Sequence, residues 1–168
     1  MNKSKISPAK APASVPRPSP KNSPHRILVV EDESDALQLT VDVLIRAGYE
    51  VEAVKDGAAG WEALQAKGYN LIVTDNKMPK MTGIEMIGKL RAASVALPVI
   101  MATGYLPTHE FVRRPWLKPD IILEKPFSND DLLAAVKKLL RPAGAEPVIK
   151  ANASEASLKA GSLVESPP

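Results

Sequence analysis

The chain has 168 residues, with 22 Lys+Arg against 19 Asp+Glu, and it contains no cysteine. This length suits one ordinary domain, and the lack of cysteine excludes disulfides, thiolate catalysis and Cys-ligated metal sites. No apolar run approaches the roughly 18 residues that a membrane span needs, and the N-terminus lacks the apolar core of a secretory signal. We therefore expect a cytoplasmic protein without a membrane span.

The two ends of the chain differ in composition from the middle. Residues 1–25 are rich in Pro, Ser and Lys and contain no acidic residue, and residues 142–168 contain four further prolines and no aromatic residue. Such segments cannot bury enough apolar surface to offset the entropy of ordering them, so we predict that both are disordered tails. Residues 26–141 remain as the one folded domain. The role of the basic N-terminal tail is left open, with a solvated linker favoured over a nucleic-acid contact.

Strand and helix patterns alternate through the middle of the chain. Four short apolar runs are typical of strands that are covered on both faces; they are residues 27–30, 71–73, 99–102 and 121–123. Residues 49–54 alternate strictly between polar and apolar, which predicts an edge strand. Helical spacing follows each of the first three strands, with Ser34 as the expected cap of the first helix, and a last helix begins at Ser128. Pro107 and Pro115 leave room for only a short fourth helix. This order predicts an α/β fold with a doubly wound, five-stranded parallel sheet.

Polar residues follow the carboxyl ends of the predicted buried strands, where ligands bind in sheets of this kind. These residues are Glu31 and Asp32 after the first strand, Asp75 after the third, Thr103 at the fourth and Lys125 after the fifth. One lysine cannot neutralise three carboxylates, whereas a hard divalent ion with oxygen ligands such as Mg²⁺ would do so. Asp75 would then be able to act as a nucleophile toward a phosphoryl group. The alternative interpretation, solvated acids in turns, is disfavoured because each acid follows a strand at the same edge.

Four segments in this order resemble the motifs of a response-regulator receiver domain, the phosphoacceptor of two-component signalling. They are residues 28–33 around the acidic pair, 73–83 around Asp75, 98–104 with a hydroxyl, and 124–127 with a lysine. The resemblance covers residues 26–141. It implies a CheY-like, flavodoxin-like fold with strand order 2-1-3-4-5, in a receiver that stands alone.

The resemblance also implies a phosphoacceptor and a metal site. Asp75 would be the phosphorylated residue, and Mg²⁺ would be held by Glu31, Asp32, Asp75 and the backbone carbonyl of Lys77. Glu31 stands where the family more often has Asp. The Lys77 side chain, two residues after the acceptor, is placed to reach the phosphoryl group or to block attacking water.

A second set of residues is expected to respond to phosphorylation. By resemblance, Thr103 and the adjacent Gly104 would bind the phosphoryl oxygens, and Lys125 would pair with the same group. The peptide between Lys125 and Pro126 would be cis, as is usual in the family. Ile122 occupies the switch position at which the family usually carries an aromatic residue.

The resemblance further implies a signalling phosphoacceptor and not a conventional enzyme. The expected partners are a histidine kinase or a histidine phosphotransfer protein, together with an unknown downstream protein, and no DNA-binding domain is expected. Pairing of two copies through the last two helices is an expectation by analogy.

The Ile122 substitution and the short fourth helix motivate one alternative, a receiver-shaped scaffold or binding module that acts without phosphorylation. A phosphohydrolase with an aspartyl nucleophile is disfavoured. Such enzymes usually have the nucleophile and a second acid two residues apart after the first strand, and here that spacing is occupied by two glutamates, Glu31 and Glu33, around Asp32.

Overall fold

The computed structural model of the chain describes residues 24–140. Its strands are β1 (Arg26–Val30), β2 (Glu50–Val54), β3 (Leu71–Thr74), β4 (Val99–Thr103) and β5 (Ile121–Glu124). Its helices are α1 (Ser34–Arg46), α2 (Gly57–Ala66), α3 (Gly83–Ala92), α4 (Thr108–Arg113) and α5 (Asn129–Leu140), with a 3-10 turn at Pro115–Leu117. Among these helices, none combines the length and the apolar character needed to cross a membrane. The predicted tails at 1–25 and 142–168 lie outside the described residues, apart from Pro24 and His25.

The strands form one parallel sheet in the order β2-β1-β3-β4-β5, which confirms the predicted fold class and strand order. Val30 at the end of β1 lies opposite Val54 of β2 and Thr74 of β3. At the other side of the sheet, Thr103 of β4 lies opposite Glu124 of β5. Because all strands run the same way, the residues that follow them emerge at a single edge of the sheet.

The core consists of two apolar clusters, one on each face of the sheet. Successive residues of β1 point to opposite faces, so Leu28 and Val30 enter one cluster and Ile27 and Val29 enter the other. The first cluster includes apolar residues of α2, α3 and the 3-10 turn. The second includes apolar residues of α1 and α5. This two-sided covering explains why β1 and β3 read as continuous apolar runs while the edge strand β2 alternates.

The helix starts agree with the sequence at α5 and differ at α1. Ser128 caps α5, since its hydroxyl accepts from Asp131 N–H at 3.1 Å and its own N–H donates to the Asp131 carboxylate at 3.0 Å. The prediction that Ser34 caps α1 is wrong by one residue. Glu33 has the extended backbone of the cap, and its carbonyl accepts the first helical bond from Leu37 at 2.9 Å. The Ser34 hydroxyl instead accepts from Lys55 Nζ at 3.1 Å.

The fourth helix is short, as the prolines predict. It has six residues, none of them fully buried, and it begins after Pro107 without a side-chain cap. A helix of this length is marginal by its own hydrogen bonds, so α4 depends on its neighbours for stability. Its half-buried Phe111 packs against the cluster on the α2 and α3 face.

Two leucines of α1 provide a matched test of the packing. Leu44 is 0% exposed, whereas Leu39 is 59% exposed. We expect Leu44→Ala to lower the free energy of unfolding by about 2–5 kcal/mol, because it removes buried methyl groups and leaves a cavity. Leu39→Ala should change it by no more than about 0.5 kcal/mol. Urea unfolding monitored by circular dichroism measures both values, and equal losses would contradict the burial described here.

Candidate functional site

Three carboxylates meet at the carboxyl edge of the two central strands. Glu31 and Asp32 follow β1 and Asp75 follows β3, and these two strands are neighbours in the sheet. One carboxylate oxygen from each of the three residues lies within 4.8 Å of the others. Glu31 is only 6% exposed and Asp75 is half-buried, whereas Asp32 is exposed to solvent. The structure therefore brings these three predicted site residues together, with one open side.

Lys125 reaches the same cluster from the loop after β5. Its ammonium nitrogen lies 2.6 Å from Glu31 Oε2 and 3.4 Å from Asp75 Oδ2. The peptide bond between Lys125 and Pro126 is cis. The lysine is thus shared between the first and third strands, although 94 residues of sequence separate it from Glu31.

The charges at this edge are unbalanced, since three carboxylates face one ammonium group. Burial raises the pKa of the Glu31 carboxyl, and the hydrogen bond from Lys125 offsets this only in part. Burial lowers the pKa of Lys125, but the hydrogen bond and charge of Glu31, with the charge of Asp75, outweigh it and raise the pKa overall. Lys125 therefore stays charged, and excess negative charge remains around Asp75. Oxygen ligands with one solvent-facing member suit a hard divalent cation that keeps some of its water.

The loop after Asp75 is tied to the start of α3 by Asn76. The Asn76 backbone N–H donates to Asp75 Oδ1, and the Lys77 N–H lies 3.4 Å from the same oxygen. The Asn76 side-chain oxygen accepts from Ile84 N–H at 3.2 Å. The backbone carbonyl of Asn76 accepts from Gly83 N–H at 3.0 Å. Asn76 was given no role from the sequence. The available signal was an amide residue directly after a strand-end acid, a residue type that bonds to nearby backbone.

A second bridge, also missed from the sequence, holds the far part of this loop. Asp56 caps α2 by accepting from Ala59 N–H at 2.8 Å, and it accepts from Lys80 Nζ at 2.7 Å. The Lys80 hydrogen bond is the main cause that lowers the pKa of Asp56. Lys80 has a φ of +64°, so the loop turns sharply at this residue. The Asp-Gly pair before a helix was the signal for the cap, but nothing in the sequence pairs it with Lys80.

Thr103 and Gly104, two of the predicted switch residues, lie at the same sheet edge but outside the carboxylate cluster. Thr103 ends β4 and is buried, and its hydroxyl donates to the Tyr105 carbonyl at 3.2 Å and accepts from the Tyr105 N–H at 3.3 Å. Gly104 is exposed in the loop that follows, and Lys77 is exposed in the loop after Asp75. Ile122 is half-buried in β5 opposite Met101. The roles of these residues in switching stay predictions.

Gly83 provides a test of how closely the Asp75 loop is packed. A Cβ atom at Gly83 would lie 2.3 Å from the backbone oxygen of Asp75, whereas a Cβ at Gly104 would meet no atom within 4 Å. We expect Gly83→Ala to lower the free energy of unfolding by about 1–3 kcal/mol, since the backbone must shift to relieve the overlap. Gly104→Ala should have an effect within about 1 kcal/mol of zero. Chemical denaturation distinguishes the two, and an equally stable Gly83→Ala protein would contradict the close approach.

Comparison with known proteins agrees with this geometry. Residues 27–137 match the family model of the response regulator receiver domain. The transcriptional regulatory protein DltR of Streptococcus agalactiae is 32% identical over 127 residues, which cover 76% of this chain and 55% of DltR, so the chain spans about half the length of that relative. The response regulator receiver protein CpdR of Brucella abortus is 33% identical over 122 residues, covering 68% of this chain and 96% of CpdR.

Solved structures show the same likeness. The response regulator TrrA of Thermotoga maritima, solved in complex with Mg²⁺-BeF, is 32% identical and superposes with a TM-score of 0.62 over 69% of this chain and 99% of TrrA. The family match over residues 27–137 contains the described sheet except for Arg26, together with the carboxylate cluster at its edge. The chain belongs to the response regulator receiver domain family.

Proposed function

We propose that the chain is a phosphoacceptor in two-component signalling and that its reactive group is the Asp75 carboxylate. The observation that carries this proposal is the convergence of Glu31, Asp32 and Asp75 within 4.8 Å, together with the Lys125 ammonium 3.4 Å from Asp75. The three carboxylates suit a divalent cation, and that cation together with the Lys125 ammonium would offset the negative charge of a phosphoryl group on Asp75. The family is one of signalling phosphoacceptors and not of conventional enzymes.

The proposed reaction is transfer of a phosphoryl group from a phosphohistidine. A carboxylate oxygen of Asp75 attacks phosphorus, and the new O–P bond forms as the N–P bond of the donor breaks. The imidazole leaves with the electron pair of that bond and takes a proton from solvent. Hydrogen bonds from Asn76 and Lys77 backbone N–H groups orient the Asp75 carboxylate, and Lys125 offsets part of the charge that the phosphoryl group brings.

Mg²⁺ is the cofactor that these residues fit. Glu31, Asp32 and Asp75 would hold it through carboxylate oxygens, with the backbone carbonyl of Lys77 as a further ligand. When bound, the ion neutralises charge on the carboxylates and on the phosphoryl oxygens. The complex of the related TrrA with Mg²⁺-BeF supports this choice of ion. The exposed side of Asp32 leaves room for water ligands.

The proposed response to phosphorylation begins at Thr103. Its hydroxyl is engaged with the Tyr105 backbone, so it must leave those two bonds to bind a phosphoryl oxygen on Asp75. Gly104 lies between Thr103 and Tyr105 and allows the backbone there to adjust. Ile122 has no ring to rotate, so we expect the change to reach the surface through the loop of Gly104 and Tyr105. The exposed Lys77 side chain is expected to limit access of water to the acyl phosphate.

The partners follow from the proposed chemistry. The donor would be a histidine kinase or a histidine phosphotransfer protein, and a downstream protein would read the change. Pairing of two copies and a cytoplasmic location stay expectations. Within residues 24–140, no contact favours the alternative of a receiver-shaped scaffold that acts without phosphorylation. Such a scaffold would not require the carboxylate cluster.

Replacement of the acceptor tests the proposal directly. The full chain is incubated with acetyl phosphate and Mg²⁺, and its intact mass is measured. We expect the wild-type protein to gain one phosphoryl group and Asp75→Asn to gain none, because an amide oxygen does not form the acyl phosphate. Asp120→Asn is the control, since Asp120 precedes β5 at the opposite edge of the sheet, where its carboxylate accepts from Val99 N–H and lies 3.6 Å from an Arg91 nitrogen. A phosphoryl gain in Asp75→Asn would exclude Asp75 as the acceptor.

A second test addresses the metal. Calorimetric titration should show that Glu31→Gln and Asp32→Asn each weaken Mg²⁺ binding by about tenfold or more, because affinity for this ion depends on the number of charged oxygen ligands. Glu33→Gln, which changes an exposed acid outside the cluster, should bind Mg²⁺ as the wild type does. Equal affinity in all three variants would contradict the assigned ligands.

The same titration predicts a pH dependence. Burial raises the pKa of Glu31, and Glu31 must be ionised to bind the metal, so protons compete with Mg²⁺ at a higher pH than for an exposed glutamate. We expect the wild-type affinity to fall as the pH is lowered through this raised pKa. In Glu31→Gln that part of the pH dependence should be absent, and a pH profile identical to that of the wild type would contradict the role of Glu31.

A further inference from the structure

A groove on the α3 side of the molecule has no role in the proposed phosphoryl transfer. It has a volume of about 720 Å³ and lies between α3 and the 3-10 turn at Pro115–Leu117. We call it the α3 groove; its apolar floor is formed by Met81, Ile84, Gly88, Trp116 and Leu117, and its rim by Lys80, Lys89 and Arg114. Trp116 is 63% exposed, so a large apolar side chain is left in water beside an apolar surface.

Gly88 is an unusual residue for the floor of this groove. It lies in the interior of α3, where glycine is less favourable than alanine. The fold itself does not need a glycine here, because an added Cβ would lie 3.5 Å from Leu117 Cδ2, an ordinary van der Waals distance. The missing side chain therefore leaves the groove deeper than the packing of the domain requires.

The charges of the rim indicate that a bound partner would be negatively charged. Three cations and one acid, Glu85, line the groove. The Glu85 carboxylate is engaged by the N–H and hydroxyl of Thr82 at the start of α3. Lys80 is paired with Asp56, but among residues 24–140 no carboxylate lies within ion-pair distance of Lys89, whose ammonium instead sits 5.4 Å from the centre of the Trp61 ring.

Arg114 is the other rim cation that is able to form an ion pair with a partner. Its contact with Glu110 is an exposed one of 4.0 Å, which holds the arginine only weakly.

We propose that the α3 groove binds an acidic amphipathic helix of a partner protein. The apolar side of that helix would rest against Gly88 and Trp116, and its carboxylates would meet Lys89 and Arg114. This surface is separate from Asp75, so the inference does not depend on phosphoryl transfer.

The probe for this proposal is a synthetic peptide of Glu, Ala and Leu, with Leu at helical spacing and no aromatic residue. Binding to the full chain should shift the emission of Trp116 to shorter wavelength, and Trp116→Phe should lose this shift. Affinity should fall with added salt, since the rim contacts are exposed ion pairs. A peptide with Lys in place of Glu should not bind. Absence of any Trp116 response to the acidic peptide would overturn the proposal.

Substitutions in the groove separate docking from stability. Gly88→Gln should weaken peptide binding by about tenfold or more by filling the floor, while its thermal midpoint stays equal to or above that of the wild type. Lys89→Glu should also weaken binding, and Lys137→Glu, an exposed lysine of α5, should not. Asp75→Asn should bind normally, so failure here and failure of the proposed phosphoryl transfer are distinguishable. Unchanged affinity in both Gly88→Gln and Lys89→Glu would overturn the proposal.

Two other possible occupants of the α3 groove would give different experimental results. A second copy of the chain would give a concentration-dependent mass in sedimentation that Gly88→Gln abolishes. The chain's own residues 142–168 would, when deleted, leave the groove free and raise peptide affinity. Either result would assign the groove to this chain itself and would overturn its assignment to a partner protein.

Discussion

The interaction on which the site depends is the ion pair between Lys125 and Glu31. It joins the last strand to the first with an ammonium-to-carboxylate distance of 2.6 Å at a nearly buried position. Charged groups leave water at a considerable cost, and a lysine shared between Glu31 and Asp75 reduces that cost without removing it. Three carboxylates against one ammonium leave excess negative charge at this edge, and in the proposed function a metal ion would neutralise it before the phosphoryl group is bound.

Packing around the acceptor explains why this unfavourable arrangement persists. Asp75 is fixed by backbone N–H groups on one side and by Lys125 on the other. Its loop is anchored to α3 through Asn76 and to α2 through the Lys80–Asp56 pair. The glycine at position 83 lets α3 approach the Asp75 backbone more closely than any side chain would permit. These contacts tie the Asp75 loop to α2, to α3 and to the loop after β5, and so hold the like charges together.

The sequence predicts the sheet and the convergence of the three carboxylates and Lys125 at one edge, because both follow from short-range patterns. Apolar runs mark buried strands, and the residues that end them must share an edge once the strands are parallel. It could not predict contacts that depend on the exact path of a loop. Lys80 reaches Asp56 from a turn at which its own backbone is left-handed, and the Thr103 hydroxyl faces Tyr105 and not Asp75. The error at Ser34 has the same origin, since the preceding residue already has the geometry of a cap.

The state of Thr103 bears on how the domain conveys a signal. In many switches a buried ring changes position, but Ile122 is aliphatic and half-buried against its neighbours in the sheet. Thr103 holds the loop through two bonds to one residue, Tyr105, which is 69% exposed. In the proposed response, a phosphoryl group on Asp75 would compete with both bonds for the Thr103 hydroxyl, and part of the free energy of phosphorylation would be used to release this loop. Since α4 follows directly and has no fully buried residue, release of the loop would extend to α4 at low cost in lost packing.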